Sequence, residues 1–420
     1  MAASTGPREA ALGVLRAVRA GQHFNRALDT TITALSEPDR RLAHEIAAGV
    51  LRERAGLDRR IQTALSKPKK HLPEDVRDVL RIGVYQLAYL DRVPSYAAVQ
   101  STVDLARTEC GNKFVPLVNA VLRKVSTEPD EKTPRGPGTP TNLAARFSHP
   151  QWLVERWWTH YGAEKTEQLL RHNNSRPPLV IQPARWTADQ LRSALQTAGI
   201  EHAECPSGFG FSVVARVQAL PGYAEGGFIV QDSTQRQLLD FVAAPLSGAR
   251  VWDACAAPGG KAALLAAYGT VLASDVSLGR MERLRQNLKR TAPYVWKAAA
   301  DARFAPVLAE TMDLVLVDAP CSATGTMARH PDARWRLSLS RIHAMVRQQA
   351  DILAGVAAAV KARGLLAYLT CSMEPEENEL QVDRFLEQHP DFERDGGDLF
   401  VFPSTDGADG GFAARMRRAA

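Results

Sequence analysis

The chain is poor in cysteine, in aromatic residues and in long apolar runs. Five cysteines, at positions 110, 205, 255, 321 and 371, stand among 420 residues and lie at least 50 apart. No pair has the short spacing of a zinc site, and a sparse, odd set in a long chain makes a poor disulfide framework. No metal is therefore expected, and the question becomes which thiols react. No uninterrupted apolar stretch approaches the ~20 residues that a membrane helix needs; the best run, 352–370, is broken by Lys361 and Arg363. Residues 1–10 lack the apolar core of a signal peptide. With no membrane partner indicated, a soluble cytoplasmic protein is expected. The 25 prolines and 29 glycines follow no repeat, and 45% apolar with 23% charged residues is ordinary globular composition.

At roughly 100–200 residues per domain, this length implies two or three domains. The net charge of +6 is uneven: residues 1–126 hold 20 Lys+Arg against 13 Asp+Glu, and the remainder 32 against 33. A basic module appended to a near-neutral body suits a polyanion-binding role, although solvated basic helix faces would give the same sum. Residues 1–126 read as an all-α bundle of about seven helices, with Leu12, Leu15 and Val18 and then Val76, Val79, Leu80 and Leu87 at helical spacing. Residues 127–142 (TEPDEKTPRGPGTPTN) have almost nothing apolar to bury and read as a linker, which extends to 146. Residues 147–230 read as a small α+β unit, opening with one or two helices that carry Trp152, Trp157 and Trp158. From 231 to 420, strands and helices alternate, which predicts an α/β domain with a mostly parallel, doubly wound sheet and its ligand site at the carboxyl ends of the strands.

Four segments carry the chemistry, each just after a predicted strand. The first is 253–261 (DACAAPGGK), where Gly259 and Gly260 let backbone approach a ligand as a helix begins. It is neither a dinucleotide fingerprint nor a phosphate-binding loop, and alone it could be only a tight turn. The second is Asp275, which ends the next strand and can accept ribose hydroxyls, with Ser277 competing for the helix-capping role; Asp301 lies one turn further on. The third is 318–325 (DAPCSATG), followed by Arg329-His330-Pro331-Asp332, and the fourth is 370–378 (TCSMEPEEN). Each of these places a cysteine, Cys321 or Cys371, in a turn past a buried strand, where backbone donors favour a thiolate. One such cysteine is more often a small apolar filler. Two on one sheet edge, beside Asp318 and a glycine turn, favour catalysis.

These motifs resemble those of the NOL1/NOP2/Sun family of RNA 5-methylcytosine methyltransferases over residues 147–418, including the closing strand pair around 402–412. Residues 1–126, ending in 118–123 (VNAVLR), resemble the NusB-like RNA-binding domain. The resemblance implies a Rossmann-like methyltransferase domain at 231–420 that uses S-adenosyl-L-methionine. The NusB-like fusion implies small-subunit (16S) ribosomal RNA, free or partly assembled, as the partner of a monomeric enzyme. It assigns Cys371 as the nucleophile that attacks cytosine C6, Asp318 to the N3/N4 edge and Cys321 to product release. It assigns Cys255, Ala256, Ala257, Pro258, Gly259, Gly260, Lys261, Asp275, Asp301 and Asp318 to the cofactor, and leaves Cys110 and Cys205 as fillers. Gly411-Phe412 stands where the family commonly has two aromatics. Three other readings stay open at this point. Transfer RNA could be the substrate, a DNA cytosine methyltransferase would use Cys321 as nucleophile and leave Cys371 idle, and a non-catalytic RNA-binding or antitermination protein could retain the fold.

Overall fold

The protein is described by a computed structural model over residues 6–66, 71–127, 138–243, 247–403 and 407–420. It divides into two compact units, Met1–Ser175 with Met327–Arg336, and Arg176–Thr326 with Leu337–Ala420.

The first unit is helical. Seven α-helices, Pro7–Arg19, Phe24–Thr31, Glu37–Arg52, Arg54–Ala64, Glu74–Tyr89, Ser95–Glu109 and Val115–Thr127, occupy the expected bundle among its described residues. Their apolar stripes meet in one core that includes Leu12, Leu15, Ile46, Leu57, Val79, Leu80 and Leu122. Starts are set locally: the Ser36 hydroxyl accepts from Asp39 N, with Glu37 and Asp39 in the first turn.

One feature departs from the sequence reading. Within the expected linker, residues 128–137 lie outside the described set, but Pro140–Arg146 is a helix. Thr139 caps it, and Leu143 and Ala144, just beyond the proline-rich run, supply its buried face. The next helix, Gln151–Asn174, bends at Gly162 (φ 75°) and buries Trp157, Leu169 and Leu170. It falls within the first compact unit.

The second unit holds two sheets. The smaller one contains β1 (Leu179–Pro183), β2 (His202–Glu204), β3 (Phe211–Val213) and β4 (Phe228–Val230), antiparallel in the order β2-β3-β1-β4. Helix Ala188–Thr197 lays Leu191 and Leu195 on Ile181, Phe211 and Phe228.

The larger sheet is built from β5 (Ala249–Asp253), β6 (Gly269–Asp275), β7 (Trp296–Ala299), β8 (Met312–Asp318), β9 (Val360–Thr370), β10 (Phe392–Arg394), β11 (Leu399–Val401) and β12 (Gly411–Arg418). Its order is β10-β12-β9-β8-β5-β6-β7, with β11 on β12. Strands β5 to β9 pair in parallel, and β12 closes antiparallel on β9. This is the expected doubly wound, Rossmann-like domain. Both faces of the parallel part are covered, so alternate side chains enter opposite cores. Leu314 and Leu316 join Leu284 and Leu288 on one face, while Val315 and Val317 join Leu353 and Val356 on the other. Strand order reverses between β5 and β8, the kind of position at which such folds open a crevice at their carboxyl ends.

Candidate functional site

At the end of β5 the chain turns through residues 254–259 into helix Gly260–Leu265. Gly259 is the residue before that helix and has φ 103°, a left-handed conformation that disfavours any side chain. The turn is held from neighbouring elements. Ala256 N donates to Ser274 O at 2.8 Å, Arg280 Nη2 to Ala257 O at 2.7 Å, and Asn287 Nδ2 to Pro258 O at 2.9 Å.

Lys261, in the first turn of that helix, is almost fully buried. Its Nζ donates to Gln235 Oε1 at 2.7 Å and pairs with Asp318 Oδ2 at 2.8 Å. Two residues from separate motifs, 57 positions apart, thus meet directly. Gln235, from helix Ser233–Ala243, was not singled out in the sequence.

Three other carboxylates and a thiol complete this edge. Asp253 is completely buried, and apart from a loose contact with the Cys255 backbone neither oxygen is hydrogen-bonded. Burial, reinforced by the negative charge of Asp318, pushes its pKa up to about 8. Asp275 ends β6 and is 2% exposed; its Oδ1 accepts from Ser277 N at 3.0 Å, and its Oδ2 is 3.3 Å from Arg280 Nη2. Ser277 takes the capping role, accepting from Arg280 N, so Asp275 does not serve as the N-cap of helix Leu278–Thr291. Asp301 turns to Arg303, which donates to both its oxygens at 3.0 and 2.6 Å. Cys255 is a poor thiolate: burial first, then Asp253, Asp318 and Asp275, drive its pKa far above the ordinary thiol value.

The two remaining cysteines face one another. Cys321, past β8, and Cys371, past β9, have their sulfurs 3.3 Å apart. The Cys321 thiol is pushed up by its hydrogen bond with the Cys371 sulfur and then by burial. Their loops interlock. Gly325 N donates to Cys371 O at 3.0 Å, Gly410 N to Gly325 O at 2.8 Å, and Met373 N to Thr324 Oγ1 at 2.8 Å. Ala323 sits at φ 57°, a strained position for a residue with a Cβ.

The structure therefore brings together Cys321 with Cys371, and Lys261 with Asp318. It sets the glycine turn beside the end of β6 and leaves Asp301 engaged with Arg303. The buried Asp253 carboxyl behind a glycine turn, with the acidic groups of Asp275 and Asp318 at the same edge, suits a cationic, hydroxyl-bearing ligand such as S-adenosylmethionine.

Known proteins match the chain along its length. The family model for the 16S rRNA methyltransferase RsmB/F matches residues 240–417, that for the NusB family residues 5–127, and an RsmF/B-like ferredoxin-like domain residues 149–210. The ribosomal RNA small subunit methyltransferase B of Vibrio cholerae is 33% identical over 97% of this chain and 96% of its own. The crystal structure of PH0851 superposes with a TM-score of 0.80 at 25% identity, covering 99% of this chain and 100% of that one. A methyltransferase homologue from Pyrococcus horikoshii, at 21% identity and a TM-score of 0.58, shares the fold over 67% of this chain and 99% of its own. With two loop cysteines in contact past adjacent strands, and with relatives that align over nearly the whole length, the chain belongs to the RsmB/F family of 16S rRNA methyltransferases.

Proposed function

We propose that the protein transfers a methyl group to C5 of a cytosine in 16S ribosomal RNA through a covalent cysteine–C6 adduct. The observation that carries this reading is the contact between the Cys321 and Cys371 sulfurs at the adjacent ends of β8 and β9. S-adenosylmethionine, when bound, supplies an electrophilic methyl group on a cationic sulfur. The residues that would hold it are the 255–261 turn, Asp275, Asp301 and Asp318, with the buried carboxyl of Asp253 behind them.

Cytosine C5 is a weak nucleophile until a thiolate adds to C6 and makes the ring an enamine. We give that role to Cys371, as the family resemblance does, with the Cys321 sulfur 3.3 Å away to act in the later step. Asp318, held in place by Lys261, addresses the N3/N4 edge. After methylation a solvent-derived base takes the C5 proton, the C5–C6 double bond re-forms as the C6–S bond breaks, and Cys371 leaves as a thiolate; Cys321 assists that release. The base has to be extruded from its stack to reach such a pocket, which favours loops or partly unfolded RNA. The basic N-terminal bundle supplies sequence-independent attraction to phosphate.

The test uses labelled cofactor and free small-subunit RNA, followed by mapping of the modified base. Cys371→Ala is expected to abolish both methylation and covalent capture of RNA. Cys321→Ala is expected to accumulate a denaturation-resistant protein–RNA adduct, since attack survives while release fails. Adduct formation by Cys371→Ala, with none by Cys321→Ala, would exchange the two roles.

A further inference from the structure

Residues 374–378 (EPEEN) look like a solvated acidic turn, yet Glu377 is fully buried. Its carboxylate accepts from Ser322 N at 2.9 and 3.2 Å, from the Ser322 and Ser372 hydroxyls, and from Gln349 Nε2 at 3.2 Å. Every one of these donors is neutral. Burial pushes the Glu377 carboxyl up, and the two serines pull it back down. Each serine directly follows a cysteine of the pair, so a single side chain ties the residue after Cys321 to the residue after Cys371.

The tie is anchored to rigid elements. Tyr368 in β9 donates its hydroxyl to Glu377 O at 2.7 Å, and Gln349 in helix Leu339–Ala357 also donates to Pro320 O at 2.9 Å. A buried carboxylate among neutral groups is costly to desolvate and is a poor choice for stability alone. A carboxylate is also the one side chain that accepts at both oxygens without donating, so it can receive a backbone N–H and two hydroxyls together.

We propose that Glu377 is the positioning residue that sets the spacing of the two thiols, so that one base can be attacked by Cys371 and released with the help of Cys321. Glu377 acts through the two serines and touches neither base nor cofactor. The need for that spacing rests on the cytosine reading above; the spacing itself does not.

Two measurements on the full-length chain separate these points. Phenylarsine oxide condenses with a pair of adjacent thiols, forming two As–S bonds and releasing one water, and needs no RNA or cofactor. Wild type is expected to take up one arsenic across Cys321 and Cys371, Cys371→Ala none, and Glu377→Gln to bind it about tenfold more weakly as effective concentration falls. In turnover assays Glu377→Gln is expected to lose about 10–100-fold in kcat. It should retain calorimetric cofactor affinity and RNA KM within about twofold and accumulate the denaturation-resistant adduct. A role in stability alone would lower Tm without the adduct. Should Glu377→Gln fail to fold, the double variant Ser322→Ala, Ser372→Ala removes the hydroxyl donors and is expected to behave the same way. Wild-type arsenic capture and wild-type release in a folded variant would overturn the proposal. Glu377-dependent arsenic capture in a protein that forms no RNA adduct would keep the clamp and discard the cytosine chemistry.

Discussion

Asp253 shows how one buried side chain marks both stability and ligand chemistry. Its carboxyl loses a proton near pH 4 when unfolded and near pH 8 when folded. Between those values the unfolded chain binds fewer protons, so this residue makes stability fall as pH rises, by at most about 1.4 kcal/mol per pH unit. Asp253→Asn removes the term. The Tm of that variant relative to wild type is expected to climb from pH 4 to pH 8 and then level off; a constant difference across that range would show that Asp253 titrates normally. Cys255 illustrates the opposite outcome for a motif residue. Although it opens the glycine turn, burial and then the acidic residues around it push its thiol far up, which is why the proposed sulfur chemistry is given to the pair past β8 and β9.

At the scale of elements, the loops after β8 and β9 form one body, and Gly325 is where they touch. A Cβ there would lie 2.7 Å from Gly410 O and 3.0 Å from Cys371 O. Gly325→Ala is expected to cost about 1–3 kcal/mol by overpacking and to reduce methylation while calorimetric cofactor affinity is retained. Unchanged turnover would mean that the loops have slack. The central strands were readable in the sequence because β5, β6 and β8 are apolar runs ending in Asp253, Asp275 and Asp318. By contrast β7 was not anticipated, since Trp296-Lys297-Ala298-Ala299 is an edge strand with Trp296 exposed, and β2 and β10, with one or no large apolar residue among three, lack the apolar pattern that marks β3 and β4. The same holds for the site. Motif spacing pointed to the cysteines, Lys261 and Asp318. Glu377 stayed hidden because an acidic run signals solvent until its hydroxyl partners, 55 positions away in the case of Ser322, are folded against it.

For the whole molecule, the basic excess of residues 1–126 predicts a salt-dependent contribution to RNA binding. Removing those residues outright is a poor test, because the helical unit also includes residues to Ser175 and the Met327–Arg336 segment. In that segment Trp335 Nε1 donates to Leu51 O at 2.6 Å, and fully buried Arg334 donates to Asn174 Oδ1 and Asn173 O, each at 2.7 Å. Substituting Gln for the exposed Arg59, Lys113 and Arg123 leaves the packing intact. The slope of log affinity against log salt is expected to drop by about 0.7 to 0.9 for each lost phosphate contact. An unchanged slope would take these cations out of RNA binding. The Met327–Arg336 segment also fixes an order of events during translation. The buried core of the bundle comes from residues 10–122, but the helical unit gains Arg334 and Trp335 only once residue 336 has emerged, by which time β5 to β8 have already left the ribosome. Although domains generally fold amino-terminal first, this unit is completed only after much of its neighbour has been synthesised.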